Sequence, residues 1–590
     1  MSQAVQAPVW DLTPFFPSIE SSEFETAVAN LKNLVAKAES MVADFAMEDV
    51  SSQATPDQLA DAITIMNQLG TDGRIVVGFV GLQIAANASD AVAQAKMSEL
   101  TPIQTRISKF DMSMTAWIGR SDVDAAISSN PICKAHAFAL RKTKDMAKHL
   151  MSGAEEKLAA DMAETGDFAW SKLYFDFSSN IEVTVGDETL PMSAARAMAF
   201  NSDADIRRNA YHAELDAWKK NELPIAACMN SIKGGENLLA KRRGWESQLD
   251  ITLFNCNMDR ESLEAMLDAA HDSFPIFREY LQAKAKALGH TRGLPFYDLF
   301  VPMGADRDWS WDQAADFVED GFRSYSDKLG DFARRTFNEN WHDVPPRKGK
   351  RDGAFCSGIR GEESRMLHNY KESFKSVSTL AHELGHAYHN LCLKDRTSMQ
   401  RRTPMTLAET ASIFCETIIK RRALKETSGD ERLAILEASI QGECQVVVDI
   451  TSRYLFESNV IANSKERELS AAEMCEIMTQ AQRDTYGDGL DQDLLHPYMW
   501  AVKPHYYGYM AFYNFPYMFG LLFALGLYRI YEAEPNGFHA RYDDLLSSTG
   551  MHMAADLTDR FGINIRDKSF WAGSLAVVEE DINQFLQAVK

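Results

Sequence analysis

Positive charge is in deficit in this sequence. Sixty-one Lys and Arg stand against 84 Asp and Glu, a net charge of −23 over 590 residues. Nucleic acid demands clustered Lys and Arg to displace counterions from its phosphates, so it is not an expected partner. Anionic membrane surfaces are disfavoured for the same reason. Cysteine is sparse: eight residues, none in a C-x-x-C pair. A thiolate zinc site, a redox dithiol and a disulfide framework are therefore not expected, and scattered reduced thiols suit a cytoplasmic protein. Met1 to Trp10 has neither the basic start nor the apolar run of a signal peptide. Internal repeats and low-complexity tracts are also missing.

One uncharged stretch, Met510–Tyr528, is about long enough to span a bilayer. It includes Asn514 and Pro516, is crowded with aromatics and has no second span beside it. A buried helix of a large protein is the expected reading. Hydrophobic residues make up 45% of the chain and charged residues 25%, enough apolar surface for a sizeable core.

Most of the chain carries helical periodicity. Ser22 to Glu25 reads as a capping box with Ser22 as the cap, followed by Phe24, Val28, Leu31 and Val35 at helical spacing. Ser152 to Glu155 repeats the signal. Strand signals are few. Ile181–Val185 alternates, meets Gly186-Asp187 and can pair with Thr189-Leu190 as a hairpin. A second strand is expected over Arg365–Tyr370, and the polar stretch Asn338–Gly353 reads as a long loop. The fold class is mainly α with a small sheet.

The chemistry concentrates at His382-Glu383-Leu384-Gly385-His386. A four-residue spacing on a helix puts both imidazoles on one face, one turn apart. Two neutral ring nitrogens can then approach one zinc at about 2.0–2.1 Å. Glu383 projects beside that face, where a base for the water polarised by the metal must sit. Gly385, costly in a helix interior, suggests a close backbone approach. Chance is the bland alternative for so short a pattern.

A catalytic zinc needs a third protein ligand. His389 shares the face, but seven residues of helix rise by about 10.5 Å, too far to share one ion with His382. It is expected to pack or to hydrogen-bond nearby. Glu409 and Glu416, seven apart in the apolar stretch Thr406–Glu416, are the alternatives. A metal would offset the cost of burying such a carboxylate. Glu409 is the first choice; Glu416, or salt bridging to Arg or Lys, stays open. One Zn²⁺ per chain is expected.

Ala381–His389 and the segment Ala408-Glu409-Thr410-Ala411-Ser412 resemble the thimet oligopeptidase and oligoendopeptidase F family of zinc peptidases, on the oligoendopeptidase F side. Gly353–Cys356, Arg365–Tyr370, Pro504–Tyr509, Phe512–Tyr517 and, more weakly, Thr165–Trp170 are similar to other parts of that family. The resemblance implies a helical two-lobed ellipsoid with a deep channel that admits short peptides. It implies His382, His386 and Glu409 as zinc ligands and Glu383 as the catalytic base. Segments are expected at 1–115 (helical), 116–200 (smaller lobe element with the hairpin) and 201–590 (catalytic).

The expected activity is hydrolysis of short peptides at internal bonds. A zinc carboxypeptidase or dipeptidyl carboxypeptidase of similar fold is the alternative. A membrane-embedded zinc protease and an inactive helical scaffold are more distant ones. The oxyanion of the reaction needs donors beyond the metal. His505, Tyr506, Tyr509 and Tyr513 are candidates, with an ordinary aromatic wall as the alternative. Arg365, Leu367, His368, Asn369 and Tyr370 could act as an edge strand that pairs with the substrate backbone, or be a structural strand. Cleavage preference and oligomeric state are not written in the sequence.

Overall fold

The computed structural model describes residues 7–590. The chain is mainly helical, with one two-stranded and one three-stranded sheet among the described residues. It divides into two compact units, each assembled from separated stretches of sequence.

The first unit takes residues up to Leu150, then Arg307–Arg422 and Tyr531–Leu557. Helices Ser22–Asp44, Pro56–Ala86 and Ala91–Arg120 pack on one another. Phe24, Leu31, Leu59, Ile63, Phe79 and Trp117 form their shared core. The first of these helices starts one residue earlier than its capping pattern suggests. Ser21, not Ser22, is the cap and accepts from the Phe24 N–H, while the Ser22 hydroxyl turns to Glu23. Among the described helices, Pro56–Ala86 is long and apolar enough to cross a membrane by length and composition. It packs instead on its two neighbours and on the strand Phe355–Arg360.

The three-stranded sheet has the order His342–Asp343, Glu363–Leu367, Phe355–Arg360. The strand expected over Arg365–Tyr370 is thus Glu363–Leu367, and it lies in the middle. Its first neighbour is parallel and its second antiparallel. Two of the sheet residues fall inside the stretch 338–353, which is otherwise loop. The charges of that loop are not simply solvated: Arg347 and Lys350 close on the fully buried Asp343 at 2.6 and 2.7 Å.

The helix Phe374–Cys392 packs on both long strands of this sheet and on Trp311–Tyr325 and Phe538–Ser547. Ser373 caps it. Gly385 sits where this helix meets the backbone at Ala411 and Ser412. A Cβ there would lie 2.5 Å from the Ala411 carbonyl oxygen and 2.6 Å from the Ser412 Cα. Both atoms are main chain and cannot swing aside, so the expected close approach is present.

The second unit takes Met151–Asp306, Ala423–Ile530 and Thr558–Lys590. The capping box at Ser152 and Glu155 forms. The hairpin forms as Glu182–Val185 paired with Glu188–Pro191. Arg260–Ala287 and Lys568–Ala588 pack side by side. The apolar run Met510–Tyr528 enters the helix Phe515–Ala533, whose residues from Phe515 to Tyr528 are almost all buried. All eight cysteines are free thiols.

Two predictions follow from packing in the first unit. Gly385→Ala gains about 1 kcal/mol of helix propensity but meets two backbone atoms, a clash worth roughly 1–3 kcal/mol or more. A net loss of stability is expected in thermal unfolding; an unchanged or raised midpoint would reject the close approach. The second concerns His342 and His368, fully buried and hydrogen-bonded ring to ring at 3.1 Å. Burial lowers both, His368 to about 3. The unfolded chain then binds protons that the folded unit refuses, so stability is complete above about pH 6.5 and falls as pH drops. Between pH 7 and 5 the loss is on the order of 2 kcal/mol per imidazole. Urea unfolding of chelator-treated protein at the two pH values reads it, and His368→Phe should flatten the dependence.

Candidate metal centre

His382 and His386 occupy successive turns of the helix Phe374–Cys392, with Glu383 between them. Glu409 comes from a different place than a continuous helix would put it. The short helix Met405–Ala408 stops, Glu409 takes φ −92° and ψ 4°, and a new helix runs over Thr410–Glu426. Glu409 and Glu416 therefore do not share one helix face. The break turns Glu409 toward the histidines, and the Ser412 hydroxyl donates to its carboxylate at 2.7 Å. Tyr542 fixes the start of the new helix by donating to the Thr410 carbonyl.

The three side chains converge. The Nε2 atoms of His382 and His386 lie 3.3 and 3.4 Å from one Glu409 oxygen. One ligand atom from each residue falls within 4.8 Å of the others. Tetrahedral ligands at about 2.0–2.1 Å from a zinc ion stand roughly 3.3–3.4 Å apart. The two imidazole-to-carboxylate separations match that edge. Two imidazoles and one carboxylate are also a donor set that zinc accepts, and the group is partly open to solvent. The residues thus fit a zinc ion with a position left for water or substrate.

Glu416 has a different part. Its carboxylate stands 3.3 Å from His382 Nδ1 and accepts from Ser378 at 2.8 Å. It holds the ring so that Nε2 faces Glu409, which is how carboxylates behind metal-bound histidines work. Burial alone would depress His382, but Glu409 and Glu416 overcome it and hold the ring up at about 10. Glu409 is lowered, because the two histidines outweigh its burial.

Glu383 is 5% exposed, and one of its carboxylate oxygens has no hydrogen-bond partner. Burial raises its pKa against the pull of His382 and His386. A carboxylate so placed is a stronger base than one in water. His389 is a neighbour, as its spacing implies. Its Nε2 meets the Leu546 carbonyl and the Thr549 hydroxyl at 3.1 and 3.0 Å.

The strand residues proposed to meet substrate do not present a free edge. Glu363–Leu367 is hydrogen-bonded on both sides. Arg365, Leu367 and His368 are buried. Arg365 lies over the Phe15 ring and donates to the Asp11 carbonyl. Asn369 donates to the Arg351 and Gly353 carbonyls, and Tyr370 to that of Trp309. The outer long strand of the sheet is Phe355–Arg360.

The His/Tyr segment belongs to the second unit. Pro504–Tyr507 is one short helical turn. Tyr506 is fully buried against Phe456, which makes it core and not a substrate-facing group. Tyr509 is 87% exposed. His505 stacks on Tyr513, and the Tyr513 hydroxyl meets that of Tyr517 at 3.2 Å. His505 Nδ1 has no partner. Tyr517, not singled out by sequence reasoning, follows Tyr513 by one helical turn, the spacing that could have found it.

Known proteins resemble this chain along most of its length. It is 23% identical over 591 residues to Group B oligopeptidase PepB of Streptococcus agalactiae, covering 97% of this chain and 95% of that one. An oligoendopeptidase F homolog of Borreliella burgdorferi is 24% identical, over 78% of this chain and 77% of its own. The crystal structure of oligoendopeptidase-F from Enterococcus faecium superposes with a TM-score of 0.70 at 17% identity, covering 96% of this chain and 99% of that one. A peptidase structure from Chlamydophila abortus reaches 0.83 at 18% identity, over 98% of each. At such identities these superpositions speak for the mainly helical fold. Residues 118–182 match the family described as Oligopeptidase F. Residues 197–577, more than half of the chain, match Peptidase family M3, and the chain belongs to that peptidase family.

Proposed function

We propose that this peptidase is a zinc-dependent endopeptidase that hydrolyses short oligopeptides. The observation that carries the reading is the His382, His386 and Glu409 cluster at zinc-ligand separations beside a buried, half-unpartnered Glu383. The names of the relatives, oligoendopeptidase F and oligopeptidase, support the substrate class and the internal cut.

His382, His386 and Glu409 would hold one zinc ion. Bound there, zinc supplies Lewis acidity, lowering the pKa of water toward about 7 and polarising a carbonyl. The chain's own groups do the rest. Glu383 takes a proton from the attacking water and returns it to the leaving amine; its raised pKa suits both halves of that task. Glu416 keeps the His382 ring in place. Among the aromatic candidates of the second unit, His505 and Tyr513 are partly exposed, whereas Tyr506 is fully buried.

Measurements of zinc binding and of cleavage test the centre. Metal analysis of purified protein should give about one zinc per chain by the single-site argument. Glu383→Gln should keep that zinc yet lose turnover by about a hundredfold or more; near-normal cleavage would reject the base. Glu409→Ala should lose zinc affinity far more than Glu416→Ala, which removes only an orienting bond, an effect of roughly 10–100-fold. The opposite order would transfer the ligand role. A peptide blocked at both ends should still be cut at an internal bond; resistance would favour the carboxypeptidase alternative.

A further inference from the structure

In the first unit, the helix that carries His382 and His386 ends at Cys392, and Glu409 follows only after a connection, residues 393–404, that contains no helix or strand. Such a connection has little stiffness of its own. The Gly385 contact sets how near the histidine helix and the Glu409 stretch can come. A steric contact does not keep them from parting, and that takes attraction. A separate piece of the same unit supplies it: the helix Phe538–Ser547 and the turn that follows.

This piece grips both stretches. On the histidine side, Asp543 accepts from the Tyr388 hydroxyl at 2.6 Å. His389 Nε2 meets the Leu546 carbonyl at 3.1 Å and the Thr549 hydroxyl at 3.0 Å. On the Glu409 side, Tyr542 donates to the Thr410 carbonyl, and Arg396 to the Ser547 carbonyl at 2.8 Å. The Thr549 and Thr403 hydroxyls lie 2.9 Å apart. Gly550 lets the main chains close up, since a Cβ there would run into the Gln400 carbonyl oxygen. Of the side chains in this piece named here, Thr549 bonds to both stretches, and it is fully buried. A carbonyl only accepts, so His389 Nε2 carries the ring proton. The Thr549 oxygen then accepts from His389 and from Thr403, and its own proton goes to the Leu546 carbonyl at 3.2 Å. Each proton of the network thereby has an acceptor.

We propose that Thr549 is a positioning residue of the metal centre: its buried hydroxyl ties His389, three residues after His386, to Thr403, six residues before Glu409, and so holds the carboxylate at metal-binding distance from the two imidazoles. This deepens the reading above and rests on it. Thr549 acts through the stretches that carry His386 and Glu409, not through contact with them. A metal site tolerates only about 0.5 Å of ligand displacement, so a loosened tie lowers affinity before it unfolds the unit. Valine has the shape of threonine and removes the bonds; serine keeps the bonds and removes a methyl group. If Thr549 only filled space, serine would be the damaging change. If its hydroxyl is the tie, valine is.

Zinc affinity of the full chain, stripped of metal and read by competition with a chromophoric chelator, tests this. Thr549→Val should bind zinc roughly tenfold more weakly than wild type, the low end of what an outer hydrogen bond is worth to a metal site. Thr549→Ser should stay close to wild type. Thr403→Val breaks the other link of the same chain of bonds, so it should match Thr549→Val, and the double variant should be no weaker than either. Co²⁺ in place of zinc reports ligand geometry through its visible absorption. That absorption should change in Thr549→Val and return in Thr549→Ser. Wild-type affinity in Thr549→Val, a Thr549→Ser as weak as Thr549→Val, or losses that multiply in the double variant would overturn the proposal. Should Thr549→Val fail to fold, Thr403→Val decides: weaker zinc binding supports the tie, and unchanged binding overturns it. Wild-type protein that binds no zinc would overturn the metal centre itself, whereas zinc bound equally by every variant overturns the tie alone.

Discussion

The contact on which the metal centre depends is the approach of two backbones at Gly385. The helix that carries both histidines passes so close to Ala411 and Ser412 that no side chain fits between. Glu409 sits two residues before that contact, at a helix break. The position of Glu409 relative to His382 and His386 is thereby fixed by main chain against main chain. Side-chain packing alone would leave some tenths of an ångström free, which is a large part of the tolerance of a metal site. Gly385 lowers helix propensity by about 1 kcal/mol, but a Cβ there would push apart the backbones that position the carboxylate.

The carboxylates near the centre show how environment, not residue type, assigns roles. Glu409, Glu416 and Glu383 have the same side chain. Glu409 faces both imidazoles and is held ionised. Glu416 faces the far nitrogen of one imidazole and a serine, and it orients. Glu383 is buried among groups that leave one oxygen unbonded, and its pKa rises. Burial acts on all three in the same direction; what differs is how much hydrogen bonding and positive charge opposes it. The spread is what suits three like side chains to the proposed parts of ligand, orienting group and base within one cluster.

Much of this was legible in the sequence. The spacing of His382 and His386 is a local property of a helix, so pattern alone yields it. The exclusion of His389 follows from helical rise, and the buried helix at Phe515–Ala533 from a long apolar run broken by Asn514 and Pro516. Other features were not legible because they depend on contacts far apart in sequence. The break at Glu409 leaves no Gly or Pro to mark it, so Glu409 and Glu416 read as one continuous face. The strand expected over Arg365–Tyr370 could be read as an edge or as structural, yet two residues of a charged loop, His342 and Asp343, pair with Glu363–Leu367 and place it in the centre. Tyr506 and Tyr509 look alike in an aromatic run, and only tertiary structure buries one and exposes the other. The division into two interleaved units crosses the chain repeatedly and has no counterpart in composition.

An unmatched buried oxygen sets the candidate base apart from the paired buried charges. Elsewhere in the protein, deeply buried charges are paired: Lys284 lies on Glu437 with Tyr280 donating to the same carboxylate, and Asp298 is shared by Arg207 and His290. Asp343 is closed by Arg347 and Lys350. Against that background Glu383 stands out, with one carboxylate oxygen lacking a partner where burial makes such a lack expensive. Its free oxygen is an acceptor able to take a proton. The proposed hydrolysis supplies that proton from the attacking water. In the proposed reaction that proton completes the pairing that folding leaves undone.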